Sequence, residues 1–431
     1  MRHVLVAAAL ILAACSSAPK PALETLVHPG LESEPTPRTI PEPSPEELSL
    51  AERAVEEAVR HWGLQAESVW EKWVGRGAPE VEAAPDFLFR AETILAVERA
   101  AVHAAAPEAR RRYARVHAFL AGAFLDQAVA ALDEEIGATH RRLLAEGPGI
   151  ASASDPGERA RAGRELLDAT EALIPLLRAR EEAFMRALAS LEHEDAFEVR
   201  ASLAGGEPEA LLRLAASILQ ATDSLWSEAL ADAALRELGL PLPELGWMDL
   251  PRIFRGAGLD IPVRAKGPEE ALARTLAGLE IELEGVDGLT VERVGVESRS
   301  LCLPTPGGAR LAIPQGGGSS HRDLFRDVGC ALAAARVDSL PPEFLLRGFG
   351  GLFAQLTTDP DWLVEVGGMT AAESRARSAA FALRRLYFVR HHAARILAEA
   401  ERGRAAYEES YARHMSRALG VPVPGAASRL E

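Results

Sequence analysis

Cysteine is scarce in this chain: three in 431 residues, at positions 15, 302 and 330. That excludes a disulfide-framework protein, which needs an even set of closely spaced cysteines. Cys302 and Cys330 read as two buried free thiols in the body, with a bridge between them left open. Positive charge is also short, with 47 Lys and Arg against 63 Asp and Glu and a formal net charge of −16. Nucleic acid is thereby excluded as a partner, since its phosphates need a basic footprint. Electrostatic docking on anionic lipid is excluded on the same ground. Long hydrophobic runs are missing as well. The longest, between Val4 and Ala14, is too short to span a bilayer.

That apolar run follows Arg2 and closes as Leu12-Ala13-Ala14-Cys15. The arrangement resembles a bacterial lipoprotein signal, with residues 1–14 removed and Cys15 becoming the lipidated N-terminus. Several acyl chains on Cys15 would give a stable anchor. By the same resemblance, Ser16 after the cysteine implies delivery to the outer membrane of the cell envelope, facing the periplasm. Residues 15–50 are rich in proline, including Pro35, Pro37, Pro41 and Pro43, and lack aromatics. Such a segment buries no core and reads as a tether. About 35 residues at roughly 3 Å each would reach about 100 Å from the anchor.

From Pro45 to Gly239 the pattern is almost wholly helical, with apolar residues at i, i+3 and i+4 and breaks near 75–85, 147–157 and 205–208. Five or six long helices are expected. Pro241, Pro243 and Gly246 mark a hinge, and 249–259 and 268–283 read as helices beyond it. Strand-like alternation is confined to 289–296, 300–304 and 310–314, which predicts one small sheet. Helices resume at Ser320. The expected division is therefore a helical domain at 51–240 and a second domain at 245–431.

The stretch Leu324-Phe325-Arg326-Asp327-Val328-Gly329-Cys330-Ala331-Leu332 is preceded by Arg299-Ser-Leu-Cys302-Leu-Pro304 and a Gly316–Gly318 loop. It is followed by Leu346-Arg347-Gly348-Phe349-Gly350-Gly351-Leu352-Phe353. Over roughly residues 245–420 this order resembles the thimet oligopeptidase and oligopeptidase F family of zinc metallopeptidases. The resemblance implies a mainly α, multi-helix zincin-type fold with a small sheet beside the metal-site helix. The family's helix reads H-E-x-x-H, two histidines one turn apart holding zinc and a glutamate activating water. Here Arg326 stands at the first histidine, Asp327 at the glutamate and Cys330 at the second histidine. Arg347 stands at the glutamate that is the family's third ligand. Arginine stays protonated and offers no acceptor, so it cannot ligate zinc. The family also continues past the position matching Glu431 with a segment that lines its cleft, so a C-terminally shortened member is expected.

These replacements imply a pseudo-peptidase: an envelope lipoprotein that binds a peptide or protein partner, with no catalytic residue and no cofactor. A buried ion-pair cluster of Asp327 with both Arg326 and Arg347 is the expected substitute for the metal. Two alternatives stand beside it. One is an active zinc oligopeptidase with a rearranged site, for which His321, Asp327, Cys330 and Glu343 are the candidate ligands. The other is an assembly scaffold acting through its helices. His321 also fits a cap or surface role, and Glu343, after Pro341-Pro342, fits a first-turn acid. His391 and His392, about 100° apart on a helix, read as a solvated face.

Overall fold

Ser44 starts the first described helix of the computed structural model. Its Oγ accepts from the Glu47 N–H at 3.2 Å, and the Glu47 carboxylate accepts from the Ser44 N–H at 2.7 Å. This reciprocal cap, with Pro45 in the first turn, satisfies donors that the helix itself cannot. Helix α1 therefore takes in residues 45–50, which composition had assigned to the tether. The structure describes residues 39–77, 79–146, 155–254, 267–295, 299–315, 319–337, 341–402 and 407–430, with Ala153, Leu259 and 262–264. The signal, Cys15, Ser16 and the Gly316–Gly318 loop lie outside the described residues. Residues 43–431 pack as one unit.

The helices of the first half are α1 (Pro45–Trp73), α2 (Ala91–His103), α3 (Pro107–Glu146), α4 (Pro156–Ala169), α5 (Ile174–Ser190), α6 (Ala196–Leu203) and α7 (Pro208–Leu238). Each expected break is present, closed by Gly75, by Asp155-Pro156 and by Gly205 respectively. Leu88, Ile94, Val97, Leu120 and Leu188 form the core in which α1, α2, α3 and α5 meet. Each such side chain contributes about 1.5–3 kcal/mol on burial. Beyond the hinge, Leu250–Ile253 forms a helical turn at the start of the expected 249–259 helix, of which 255–258 lie outside the described residues. Helix α8 (Pro268–Gly278) ends earlier than the predicted 283, because Glu280 takes a positive φ and Ile281 N–H closes back on Leu276.

Strands β1 (Leu289–Val294), β2 (Leu301–Thr305) and β3 (Gly308–Pro314) make the one sheet of the described residues, in the order β1-β3-β2. β3 runs parallel to β1 and antiparallel to β2. The chain continues through α9 (His321–Ala334), α10 (Glu343–Leu356), α11 (Pro360–Glu365), α12 (Ala371–Ala400) and α13 (Tyr407–Leu419). A second core gathers α7, α12 and α13 around Trp226, Leu230, Tyr411 and Met415.

The sheet is covered on both faces. Leu301 and Leu303 of β2 and Ala312 of β3 pack with Trp70 of α1. Trp73 Nε1 donates to Arg299 O at 2.9 Å, and Arg310 reaches across the Trp70 ring to Glu67. Side chains alternate along a strand, so Ser300 and Cys302 project to the opposite face. That face meets α9.

Helices α9 and α10 cross in close backbone contact. A Cβ built on Gly329 would fall 2.5 Å from Phe349 O, and one on Gly350 would fall 2.9 Å from Arg326 O. Only glycine permits that approach at each position. It is this contact that brings the two Arg-bearing segments of the motif together.

Candidate functional site

Helix α9 begins at Ser320, whose Oγ accepts from the Asp323 N–H at 3.1 Å. The cap fixes the helical phase, and the amphipathic spacing then buries Leu324, Phe325, Val328 and Ala331. Asp327 lies on the buried side at 7% exposure, while Arg326 keeps 54% of its side chain in solvent.

Both Asp327 oxygens are engaged. Ser300 Oγ donates to Oδ2 at 2.6 Å, and Arg326 Nε donates to Oδ1 at 3.1 Å. Ser300 is itself held by Ser319, whose Oγ accepts from Ser300 N–H at 2.6 Å and donates to Ser300 Oγ at 3.1 Å. Burial pushes the Asp327 carboxyl above its ordinary range, and the Ser300 and Arg326 hydrogen bonds oppose the rise without cancelling it. Arg326 also reaches Asp323 at 3.0 Å.

Cys302 and Cys330 sit beside this network as half-buried free thiols, more open than the buried pair expected. Hydrogen bonding with the neighbouring Cys330 thiol pushes the Cys302 thiol above its usual range, with burial adding to the effect. The same bond lowers Cys330, against burial and the neighbouring Asp327 carboxylate.

The expected Arg–Asp–Arg cluster does not form. Arg347 points outward, with 79% of its side chain exposed, and its Nε donates to Glu343 at 2.7 Å. The pair is one turn apart on α10, an i,i+4 contact that satisfies the guanidinium locally. Glu343 is the first residue of that helix, the first-turn acid that Pro341-Pro342 pointed to. His321 opens α9 with its ring edge-on to Trp362, centroids 6.1 Å apart, and its buried Nε2 lacks a hydrogen-bond partner. Burial, with Arg377 nearby, pushes the imidazole below its usual range.

Zinc does not fit this donor set. A guanidinium, Arg326 or Arg347, stands at two of the positions that the resemblance assigns to ligands, the remaining one is the lone Cys330 thiol, and each oxygen of Asp327 already accepts a hydrogen bond. Among the described residues, no three His, Cys, Asp or Glu side chains converge as a metal-binding group.

Sequence reasoning missed three polar elements. Ser300 is bonded to Asp327 across 27 positions of chain and to Ser319 across 19, with no local pattern to mark either serine. Arg390, next to the half-exposed His391, is 1% exposed and donates to Ala418 O, Leu219 O, Thr222 and Asp223. Arg159 is equally buried and pairs with Asp249 at 2.6 Å. Both arginines pin helices together away from the α9–α10 site. Compared with protein-family models, curated proteins and solved structures, the chain matches none.

Proposed function

We propose that this chain is a non-catalytic, lipid-anchored envelope protein with a zinc-oligopeptidase-like architecture, using the α9–α10 surface to bind a peptide or protein segment. The observation that carries the reading is the state of Asp327. A general base must turn a lone pair toward a water within hydrogen-bond reach, and an oxygen held by a protein donor is less available for that. Asp327 has one oxygen on Ser300 and the other on Arg326.

Binding is supported by what α10 leaves in solvent. Phe344 and Phe349 are 55% and 44% exposed on an otherwise apolar helix, and Arg347 lies between them in sequence. Aromatics and arginine are the residue types that dominate protein recognition. The Arg347–Glu343 pair is solvent-exposed, and such pairs contribute about 0–1 kcal/mol, so a ligand carboxylate can replace Glu343.

Fluorescence anisotropy with unstructured peptides, differing only in a free or amidated C-terminus, tests the reading. The free acid should bind about tenfold more tightly, a difference of about 1.4 kcal/mol. Arg347→Ala should abolish that preference. Equal binding, absent binding, or cleavage of the peptides would overturn the proposal.

A further inference from the structure

Two independent features of the fold bring Cys302 and Cys330 together. Along β2, Leu301 and Leu303 pack toward Trp70, so Cys302 stands on the α9 side with Ser300. Ser300 is already in contact with Asp327 at 2.6 Å. From that fixed point, two residues along the strand advance about 6.6 Å, and three along the helix advance about 4.5 Å. Those steps lead from Ser300 to Cys302 and from Asp327 to Cys330 on the faces that meet. The two thiols are accordingly close enough to perturb each other's acidity.

Access is available as well. β2 is an edge strand of the sheet, and both cysteines are only partly covered. Neither thiol is needed by the Ser319–Ser300–Asp327 network, whose hydrogen bonds are made by other atoms.

We propose that Cys302 and Cys330 are a dithiol modification site, converted reversibly to an intramolecular disulfide by exchange with a low-molecular-weight disulfide, RS–SR. The Cys330 thiolate attacks one sulfur of RS–SR; a Cys330–SR bond forms and RS⁻ leaves. Cys302 gives up its proton, and its thiolate attacks the Cys330 sulfur, expelling the second RS⁻. Two protein thiols and one RS–SR become one protein disulfide and two RSH. The product ties the edge strand to α9 within one turn of Asp327. The inference stands on the β2–α9 geometry and is independent of the peptide-binding reading.

The test equilibrates the full chain in glutathione buffers from fully reduced to fully oxidised, quenches with acid, alkylates with N-ethylmaleimide and maps the peptides by mass. Cys302 and Cys330 should lose alkylation together in one transition, with a Cys302–Cys330 cross-linked peptide appearing as they do. In Cys302→Ser the same buffers should leave Cys330 as a persistent glutathione mixed disulfide. Full alkylation of both at the oxidising end would overturn the proposal. So would cross-links to Cys15, or a wild-type Cys330 that stops at the mixed disulfide while Cys302 stays free.

Discussion

Ser300 and Asp327 are joined at 2.6 Å across the seam between β2 and α9, and the bond is almost wholly out of solvent. A buried carboxylate costs free energy unless hydrogen bonds replace its water. Ser300 supplies one replacement and Arg326 the other. Ser300→Ala leaves Oδ2 without that donor and should destabilise the protein by about 1–3 kcal/mol. Urea unfolding would read this, and in an Asp327→Asn background the penalty should shrink. An equal penalty in both backgrounds would mean that the bond adds nothing beyond packing.

The same carboxylate makes stability depend on pH. Burial raises its folded-state pKa above the ordinary 3.8, so the folded chain holds the proton more tightly than the unfolded chain. Stability from this group is present below the ordinary value and is lost as pH rises through the raised one. Asp327→Asn removes that titration. The stability of the variant relative to wild type should therefore increase from acid pH toward neutrality, measured by denaturant midpoints at matched pH. A difference independent of pH would contradict the burial argument.

His321 has the opposite sign. Its imidazole is held below the ordinary 6.5 by burial and Arg377. The folded state binds fewer protons than the unfolded state, so stability is full above the ordinary value and falls as pH drops through it. His321→Gln should narrow its gap to wild type as pH goes from 7.5 to 5.5. Thermal melts at the two pH values suffice to see it.

Gly329 tests the helix crossing. Its missing Cβ leaves room for Phe349 O and Phe353 Cβ, which a methyl would meet at 2.5 and 2.8 Å. Because a backbone oxygen cannot swing aside, Gly329→Ala should separate α9 from α10 and cost about 1–3 kcal/mol. Gly351, with nothing near its built Cβ, is the control, where alanine should be neutral or stabilising.

The readable parts of the fold were those with local causes. Ser44-Pro45 and Ser320 announce helix starts because capping acts within one turn. The strand-like stretches read at 289–296, 300–304 and 310–314 match β1, β2 and β3 to within two residues at each end, because local alternation and turn residues mark them. At the site, the Glu343–Arg347 pair follows from i,i+4 spacing. The outward direction of Arg347 does not, since it depends on which face of α10 the Gly350 contact turns inward. Ser300, Ser319 and Arg390 were illegible for a related reason. Their partners are remote in sequence, and a serine or an arginine in isolation looks like surface.

Under the proposed reading, the seam that Arg326 forms with Asp323 and Asp327 is ion-paired and holds no metal. Metal content measures it directly, in the purified protein exposed to excess zinc and then dialysed, by elemental mass spectrometry. Zinc should stay far below one per chain, with Arg326 remaining paired to Asp323 and Asp327. One tightly retained zinc per chain, lost on substitution of His321, Asp327, Cys330 or Glu343, would contradict it.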